Sequence, residues 1–375
     1  MKVVVMSWRD SQHPEGGGSE RYVEAVAEYL ARAGHDVVIR TARYTGSMRT
    51  SRRHGVTYSR AGGAFTVYPR GLMALAMGRM GIGPLRGMDA IIDVHNGIPF
   101  FATLVADCPV VLLSHHCHKE QWPVAGKVLG RIGWMLESKV SPRVHRNNQW
   151  VTVSIPSADE LIELGVPAAN ITIIRNGCDP LPAAEVVAPA THDVHLVTLA
   201  RLVPHKQLEH ALDVVARLDR ETDFHGRVTL DVVGAGWWED KLRARADDLG
   251  LGCCVHFHGH VSEEYKHALL ERSRVHLMPS AKEGWGITVM EAAQHGVPTI
   301  GYRAAKGLQD SIDHERTGLL ADDFDQFYAH TVRVLQDDEL RCRLGAAARD
   351  KAAGLNWTAT GASMETVLKQ SIVRG

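Results

Sequence analysis

Two glutamates, Glu283 and Glu291, stand eight positions apart around a glycine-bearing segment. Glu283 lies in a predicted loop, and Glu291 lies about one turn or more into the helix that follows. The first N–H groups of that helix, from Gly286, Ile287 and Thr288, suit the oxygens of a diphosphate or a sugar. Carboxylates accept hydrogen bonds from vicinal hydroxyls. The segment therefore indicates a phosphate or sugar site, against the alternative of two solvated acids.

Two cations, Arg201 and Lys206, follow a strand predicted at 195–199. In open α/β sheets, ligands gather beyond the carboxyl ends of the strands, which is where these side chains would lie. A guanidinium and an ammonium suit a diphosphate whose negative charge grows as it departs. A pair of ordinary surface cations before a helix is the alternative.

Three histidines, His115, His116 and His118, follow a strand predicted at 110–114. Histidine titrates near neutrality and can hydrogen-bond a sugar hydroxyl. Together with Cys117 they have the types of metal ligands, but their spacing within one turn of loop does not bring all four onto one ion. We expect a substrate contact and no metal, with a structural histidine cluster as the alternative.

Three consecutive glycines, Gly16, Gly17 and Gly18, precede a helix predicted at 20–33 with Ser19 as its N-cap. Glycine lets the backbone approach a ligand closely and offers N–H groups to anionic oxygens. The run is not GxGxxG and lies several residues beyond the strand, so it does not predict a dinucleotide site. A flexible loop is the alternative.

The elements that position these residues alternate between strand and helix, which is typical of parallel α/β sheets. A length of 375 residues favours two hydrophobic cores over one. Strands are predicted at 2–7, 36–41, 90–93, 110–114, 150–154 and 171–174, and then at 195–199, 228–233, 255–258, 275–278 and 299–302. The proline- and alanine-rich stretch 179–190 predicts a linker. We expect domains at 1–180 and 181–355, and a helix at 356–375 packing across both.

The composition disfavours several classes of protein. A formal net charge of −1 argues against a chain-wide nucleic-acid surface. The six cysteines form no CxxC pair, which favours a reducing compartment. The N-terminal apolar run is too short for a signal peptide, and no stretch reaches the ~20 apolar residues of a membrane-spanning helix. We therefore expect a cytoplasmic protein.

The stretch from Val37 to Met88 contains nine arginines and no acidic residue. Within it, the apolar residues 72–77 are flanked by Arg70, Arg79 and Arg86. An amphipathic segment of this kind can rest on anionic lipid. We hypothesise a peripheral contact with the inner face of the cell membrane through residues 37–88. The alternative is a solvated basic face whose apolar side chains pack in the core.

The order of these motifs resembles that of the GT-B-fold glycosyltransferases of family 4 (glycosyl transferases group 1), over nearly the whole chain. The ordered set lies at 16–18, 115, 176–179, 201–206, 233–236, 259–261, 283–291 and 314–320. Its most specific parts are Glu-x7-Glu at Glu283 and Glu291, and Arg-x4-Lys at Arg201 and Lys206.

The resemblance implies a role for each residue. Glu291 would bind the ribose, Glu283 a hydroxyl of the transferred sugar, and Arg201 with Lys206 the diphosphate. His115 would lie near the reacting sugar and would complete a catalytic set with Glu283, Arg201 and Lys206. The other implied contacts are Gly16, Gly17, Gly18, Gly259, His260, Val261, Gly284, Trp285, Gly286, Ile287 and Thr288 on the donor side, and His116 and His118 on the acceptor side.

The implied fold is two Rossmann-like parallel-sheet domains facing a central cleft, with the C-terminal helix crossing back to the N-terminal domain. The implied activity is retaining, metal-independent transfer of a hexose or N-acetylhexosamine from a UDP-sugar, or less favoured a GDP-sugar, to a hydroxyl acceptor. The acceptor would be a lipid or cell-envelope glycan precursor, and no cofactor is expected. A non-hydrolysing sugar-nucleotide epimerase and a non-catalytic nucleotide-sugar-binding partner protein stay open. Trp285 and Gln207 depart from the family's phenylalanine and glycine.

Overall fold

The computed structural model describes residues 1–14, 16–119, 121–122, 126–183 and 194–374. The chain divides into two compact units, one formed by Met1–Gly177 with Asn356–Gly375 and the other by Cys178–Leu355. Of the predicted linker at 179–190, residues 184–190 lie outside the described part of the chain. Each unit is built around its own sheet, as the alternation of strands and helices predicts.

Eight strands make the sheet of the first unit. They are β1 (Lys2–Met6), β2 (Asp36–Thr41), β3 (Thr50–Arg53), β4 (Val56–Arg60), β5 (Ala90–Val94), β6 (Val110–Ser114), β7 (Gln149–Thr152) and β8 (Ile171–Ile173). Their order is β3-β4-β2-β1-β5-β6-β7-β8. Strands β1, β5 and β6 are aliphatic runs with almost every residue buried, the pattern of parallel strands covered by helices on both faces.

The helices of this unit begin with α1 (Gly18–Arg32), α2 (Val67–Arg79), α3 (Lys127–Met135), α4 (Ser141–Val144) and α5 (Ile155–Glu163). A π-turn at Leu136–Val140 joins α3 to α4. Such turns insert one extra residue per turn and re-aim the side chains that follow. Here the π-turn directs Glu137 into the interior, where it is fully buried.

The second unit repeats the alternation with a wholly parallel sheet. Its strands are β9 (Val194–Leu199), β10 (Val228–Val233), β11 (Val255–Gly259), β12 (Val275–Met278), β13 (Thr299–Tyr302) and β14 (Gly318–Ala321). Its helices are α6 (Glu209–Glu221), α7 (Glu239–Asp248), α8 (Glu263–Arg272), α9 (Ile287–Gln294), α10 (Leu308–Ser311), α11 (Phe324–Gln336) and α12 (Asp338–Ala353). The order β11-β10-β9-β12-β13-β14 reverses between β9 and β12, so this is the topological switch point where α/β sheets bind ligands.

The C-terminal helix, α13 (Trp357–Arg374), belongs to the first unit and packs on α1. Gly361 allows the close approach, because a Cβ there would lie 2.3 Å from the Tyr29 side chain. Glu365 accepts a hydrogen bond from the Tyr29 hydroxyl at 3.2 Å and pairs with His35 Nε2 at 3.0 Å. The predicted return of the last helix to the N-terminal domain is confirmed.

The start of α1 differs from the prediction. Gly17 rather than Ser19 is the N-cap, because the Glu20 carboxylate accepts the Gly17 N–H at 2.8 Å and the helix begins at Gly18. Glu20 is the third residue of the helix, and its hydrogen bond with the N-cap backbone is half of a capping box.

The first sheet is not wholly parallel, since β3 pairs with β4 in antiparallel register. The two strands are joined by His54 and Gly55, whose φ values of 48° and 84° suit a type I′ hairpin turn. The hairpin lies at one edge of the sheet, within the arginine-rich stretch, where no strand was predicted.

The arginine-rich stretch is only partly a surface. Arg40 and Arg60 are buried, and Arg60 Nε donates to Asp10 at 2.6 Å. On α2, Leu75 packs in the hydrophobic core, whereas Met73 is exposed. The stretch is therefore not basic surface throughout, because two of its arginines are buried, and the core-packing alternative holds for Leu75.

Candidate functional site

The loop between β12 and α9 carries the first glutamate of the predicted pair. Gly286 is the N-cap of α9 with a φ of 88°, in the left-handed region that favours glycine. Ile287 and Thr288 begin the helix, so their N–H groups have no partner within it. The Glu283 carboxylate accepts a hydrogen bond from Lys206 Nζ. Lys206 follows β9, so the ion pair brings the two predicted motifs together at the switch point.

The second glutamate, Glu291, lies one turn into α9 and pairs with Lys266 of α8 at 2.8 Å. Lys266 also donates to Glu263 at 2.6 Å. Burial acts to lower the pKa of Lys266, but the charges of the two carboxylates raise it on balance. The ammonium therefore stays charged, and the partly exposed Glu291 carboxylate keeps lone pairs for further donors.

The other predicted donor contacts of the second unit follow strand ends of the same sheet. Arg201 is exposed just beyond β9. Gly259 ends β11 with a φ of 66°, His260 is exposed, and Val261 packs against a small apolar cluster. Trp285 is buried, and its indole Nε1 has no hydrogen-bond partner among the described residues. Gly284 lies in the loop between β12 and α9.

The glycine run of the first unit differs from the expected anion-binding loop. The Gly16 N–H donates to a loop carbonyl at 2.8 Å, and the Gly17 N–H donates to Glu20. Gly18 is already the first residue of α1. Glu20 is buried and pairs with Arg9 at 3.0 Å. Two of the three N–H groups are thus already hydrogen-bonded, one of them to a buried carboxylate.

His115 is buried at the carboxyl end of β6. Its ring packs edge-on against Tyr22 with 5.2 Å between centroids, and its Nδ1 lies 3.3 Å from Asn96 Oδ1. Its Nε2 has no hydrogen-bond partner among the described residues. Burial lowers the pKa of His115 to about 4, so the ring is neutral near pH 7. A neutral ring with an unengaged nitrogen can hydrogen-bond a sugar hydroxyl.

His118 is held by a buried carboxylate. Its Nδ1 lies 3.1 Å from Glu137, which also accepts a hydrogen bond from the Trp122 indole. Burial acts to raise the pKa of Glu137, but its contacts with His118 lower it on balance. The His118 ring stacks on that of His116 at 4.4 Å. For His118 this supports the structural alternative, and no metal-binding group of three His, Cys, Asp or Glu residues occurs in the described ranges.

Buried neutral histidines make stability depend on pH. Burial lowers the pKa of His95, His115 and His145 to about 4 and that of His276 to about 3. Because the unfolded chain takes up these protons near pH ~6.5, it holds more protons than the folded chain between there and pH ~4. Burial raises the pKa of Asp93 to about 7, which has the opposite effect on stability as the pH falls. Asp93 is one group, however, against these four histidines.

We therefore expect the midpoint of thermal unfolding to fall as the pH is lowered from about 7 to about 4.5. Each such histidine contributes about 3 kcal/mol over the full window. The control is His276→Asn, which should make this slope shallower, since His276 is fully buried beside Thr299. A midpoint that rises on acidification would contradict the expectation.

Two parallel-sheet units, the second with carboxylates, cations and a helix N-terminus gathered at its switch point, define a glycosyltransferase of the GT-B class. Residues 16–181 match the model of Glycosyltransferase Family 4, and residues 185–351 match that of Glycosyl transferases group 1. The chain belongs to the GT-B-fold glycosyltransferases that combine these two domains. This confirms the predicted family and fold class.

Known relatives agree with the family. A glycogen synthase of Mycobacterium tuberculosis is 27% identical over 388 residues, which cover 94% of this chain and 90% of the relative. A GDP-mannose-dependent alpha-(1-6)-phosphatidylinositol monomannoside mannosyltransferase of the same organism is 28% identical over 69% of both chains. The sucrose-phosphate synthase of Thermosynechococcus elongatus has the same fold over 100% of both chains, with a TM-score of 0.82 at 20% identity. The chain is thus a glycosyltransferase that uses a sugar-nucleotide donor.

Proposed function

We propose that this enzyme transfers a hexose or N-acetylhexosamine from a nucleoside-diphosphate sugar, with UDP favoured over GDP, to a hydroxyl acceptor with retention of configuration. The observation that carries the proposal is the pair of ion pairs flanking α9, Glu283 with Lys206 and Glu291 with Lys266. Ammonium groups and helix N–H groups suit a diphosphate, and carboxylate oxygens suit ribose and sugar hydroxyls.

In the proposed reaction the bond between the sugar and the diphosphate breaks, and the acceptor oxygen bonds to the same carbon from the same face. The acceptor's proton passes to the departing diphosphate. Lys206 and Arg201 lower the barrier by holding the negative charge that develops on the leaving group, without a metal. Glu283 orients the transferred sugar, and His115 lies near the reacting sugar as a neutral ring.

The proposed acceptor is a lipid or cell-envelope glycan precursor at the inner face of the cell membrane. Support comes from the mannosyltransferase relative, which is named for a phosphatidylinositol mannoside, and from residues 37–88. In that segment Met73, Met80, Arg70 and Arg79 are exposed, so the surface part of the stretch combines apolar and basic side chains. Among the described residues, no helix is long and apolar enough to cross a membrane.

Glu291→Ala is expected to weaken nucleotide binding by about 10–100-fold, because the ribose hydroxyls lose their acceptor and Lys266 loses one of its two carboxylate partners. The measurement is the shift in thermal midpoint with UDP, GDP, ADP or TDP and their sugar conjugates, with and without EDTA. The wild type should respond to one nucleoside diphosphate selectively, and EDTA should not change the response.

Glu263→Ala is the matched control, since it removes the exposed partner of the same lysine and should retain the response. An absence of any nucleotide shift in the wild type would overturn the proposal. Epimerised donor without acceptor would favour the epimerase, and a nucleotide shift without turnover would favour the non-catalytic partner protein.

A further inference from the structure

Helix α3 presents an apolar face to solvent. Val128 is 72% exposed, Leu129 53%, Ile132 47% and Met135 49%. Their spacings of three and four residues place them on one side of the helix. Exposed apolar clusters of this kind on a globular protein mark a surface that binds a partner or a membrane.

The exposed charges along the described segment 126–146 are all positive. Lys127, Arg131, Lys139, Arg143 and Arg146 are exposed on α3, the π-turn, α4 and the residues just after it. The single acidic residue from α3 to the end of α4 is fully buried. An apolar stripe bordered by cations is complementary to a lipid surface that carries negative headgroups.

Another side of α3 contacts the histidine loop. Gly133 faces the Trp122 ring so closely that a Cβ there would lie 2.2 Å from it. Glu137, in the π-turn, accepts the Trp122 indole N–H and holds His118. The segment from α3 through the π-turn thus carries the exposed apolar residues and also holds His118.

We propose that α3 docks the enzyme on an anionic lipid surface and places the loop of His115 and His118 at the level of the headgroups. The apolar side chains enter the interface, and the cations pair with lipid phosphates. The inference rests on the proposed transfer to a lipid acceptor and adds a second contact to that of residues 37–88. Membrane binding depends more on α3 than on residues 37–88, because the exposed apolar residues of α3 occupy consecutive turns on one face of the helix.

The test is flotation of the full chain with phosphatidylcholine vesicles that contain or lack phosphatidylglycerol. The wild type should float only with phosphatidylglycerol, and added salt should weaken binding. Ile132→Asp combined with Met135→Asp should lower the partition coefficient by at least about tenfold. Arg131→Ala should lower it about fivefold, the effect of one cation near an anionic surface.

Met73→Asp, on the exposed side of α2, is the matched control and should cost less than the α3 substitutions. Thermal midpoints and the nucleotide shift show that each variant is folded and that the second unit still binds its donor. Flotation of the α3 variant equal to that of the wild type, a larger loss in Met73→Asp, or wild-type binding independent of phosphatidylglycerol would overturn the inference. Each of these outcomes can occur with the nucleotide shift intact, so they are separate from a failure of the proposed function.

Discussion

Lys206→Ala is expected to slow turnover by about 10²–10³-fold, the usual loss when one donor to a developing negative charge is removed. The Lys206 ammonium is held at the switch point by Glu283, so it is already in place when the leaving group gains charge. An interaction that strengthens in the transition state lowers kcat more than it changes KM. The measurement is nucleoside diphosphate released from the donor that gives the selective thermal shift.

Lys241→Ala is the charge-matched control, because Lys241 lies on α7 over the ring of Trp238, outside the ion pairs of Lys206 with Glu283 and of Lys266 with Glu291. Its turnover should equal that of the wild type. Lys206→Arg keeps the charge but replaces a compact ammonium by a planar guanidinium. Its turnover is therefore expected to lie between those of the wild type and Lys206→Ala. A Lys206→Ala enzyme with an unchanged kcat and a raised KM would assign Lys206 to ground-state binding instead.

The strands that sequence reasoning located best are those buried on both faces. The predicted bounds of β2, β6, β10, β12 and β13 are the observed ones, and every residue of the last four strands is buried. Strand β3 has the sequence Thr-Ser-Arg-Arg, with no apolar alternation to reveal it. Its pairing comes from the turn at His54 and Gly55 and from β4, which follow it directly in the chain.

The site was predicted in its parts, but its internal pairings were not. Glu283 and Lys206 are each placed at a strand end by local sequence, and the adjacency of β9 and β12 then brings them together. Lys266 meets Glu291 only because α8 packs beside α9, so no spacing rule finds it. The hydrogen bond from the Gly17 N–H to Glu20 could have been predicted from the sequence, because a spacing of three residues is the signature of a capping box.

One departure from the family pattern has a structural counterpart. Gln207 follows the turn that carries Lys206 and adopts a φ of 49° and a ψ of 40°, in the left-handed region. A non-glycine residue costs about 1 kcal/mol there, which explains why a glycine is usual at this position in the family. The turn is retained despite the glutamine, so the loop shape that presents Lys206 does not depend on the glycine.

Asp10→Ala is expected to lower the free energy of unfolding of the first unit by about 3–5 kcal/mol, the range for removing one partner of a buried ion pair. The side chains of Arg60 and Asp10 are 2% and 1% exposed, and their Nε and Oδ2 atoms are 2.6 Å apart. After truncation the guanidinium keeps a hydrogen bond to Ser51 at 2.8 Å and its contact with the Tyr58 ring, but neither neutralises its charge. Denaturant unfolding measures the loss.

A surface pair supplies the matched control. Arg217 and Asp325 are 2.7 Å apart, but their side chains are 31% and 84% exposed, so Asp325→Ala should cost less than about 1 kcal/mol. Replacing both Asp10 and Arg60 by apolar residues of similar size should recover part of the loss, because no charge is then left buried. Equal losses for Asp10→Ala and Asp325→Ala would contradict the interior role of the pair. Because the second unit has its own sheet and core, its nucleotide response should persist in Asp10→Ala.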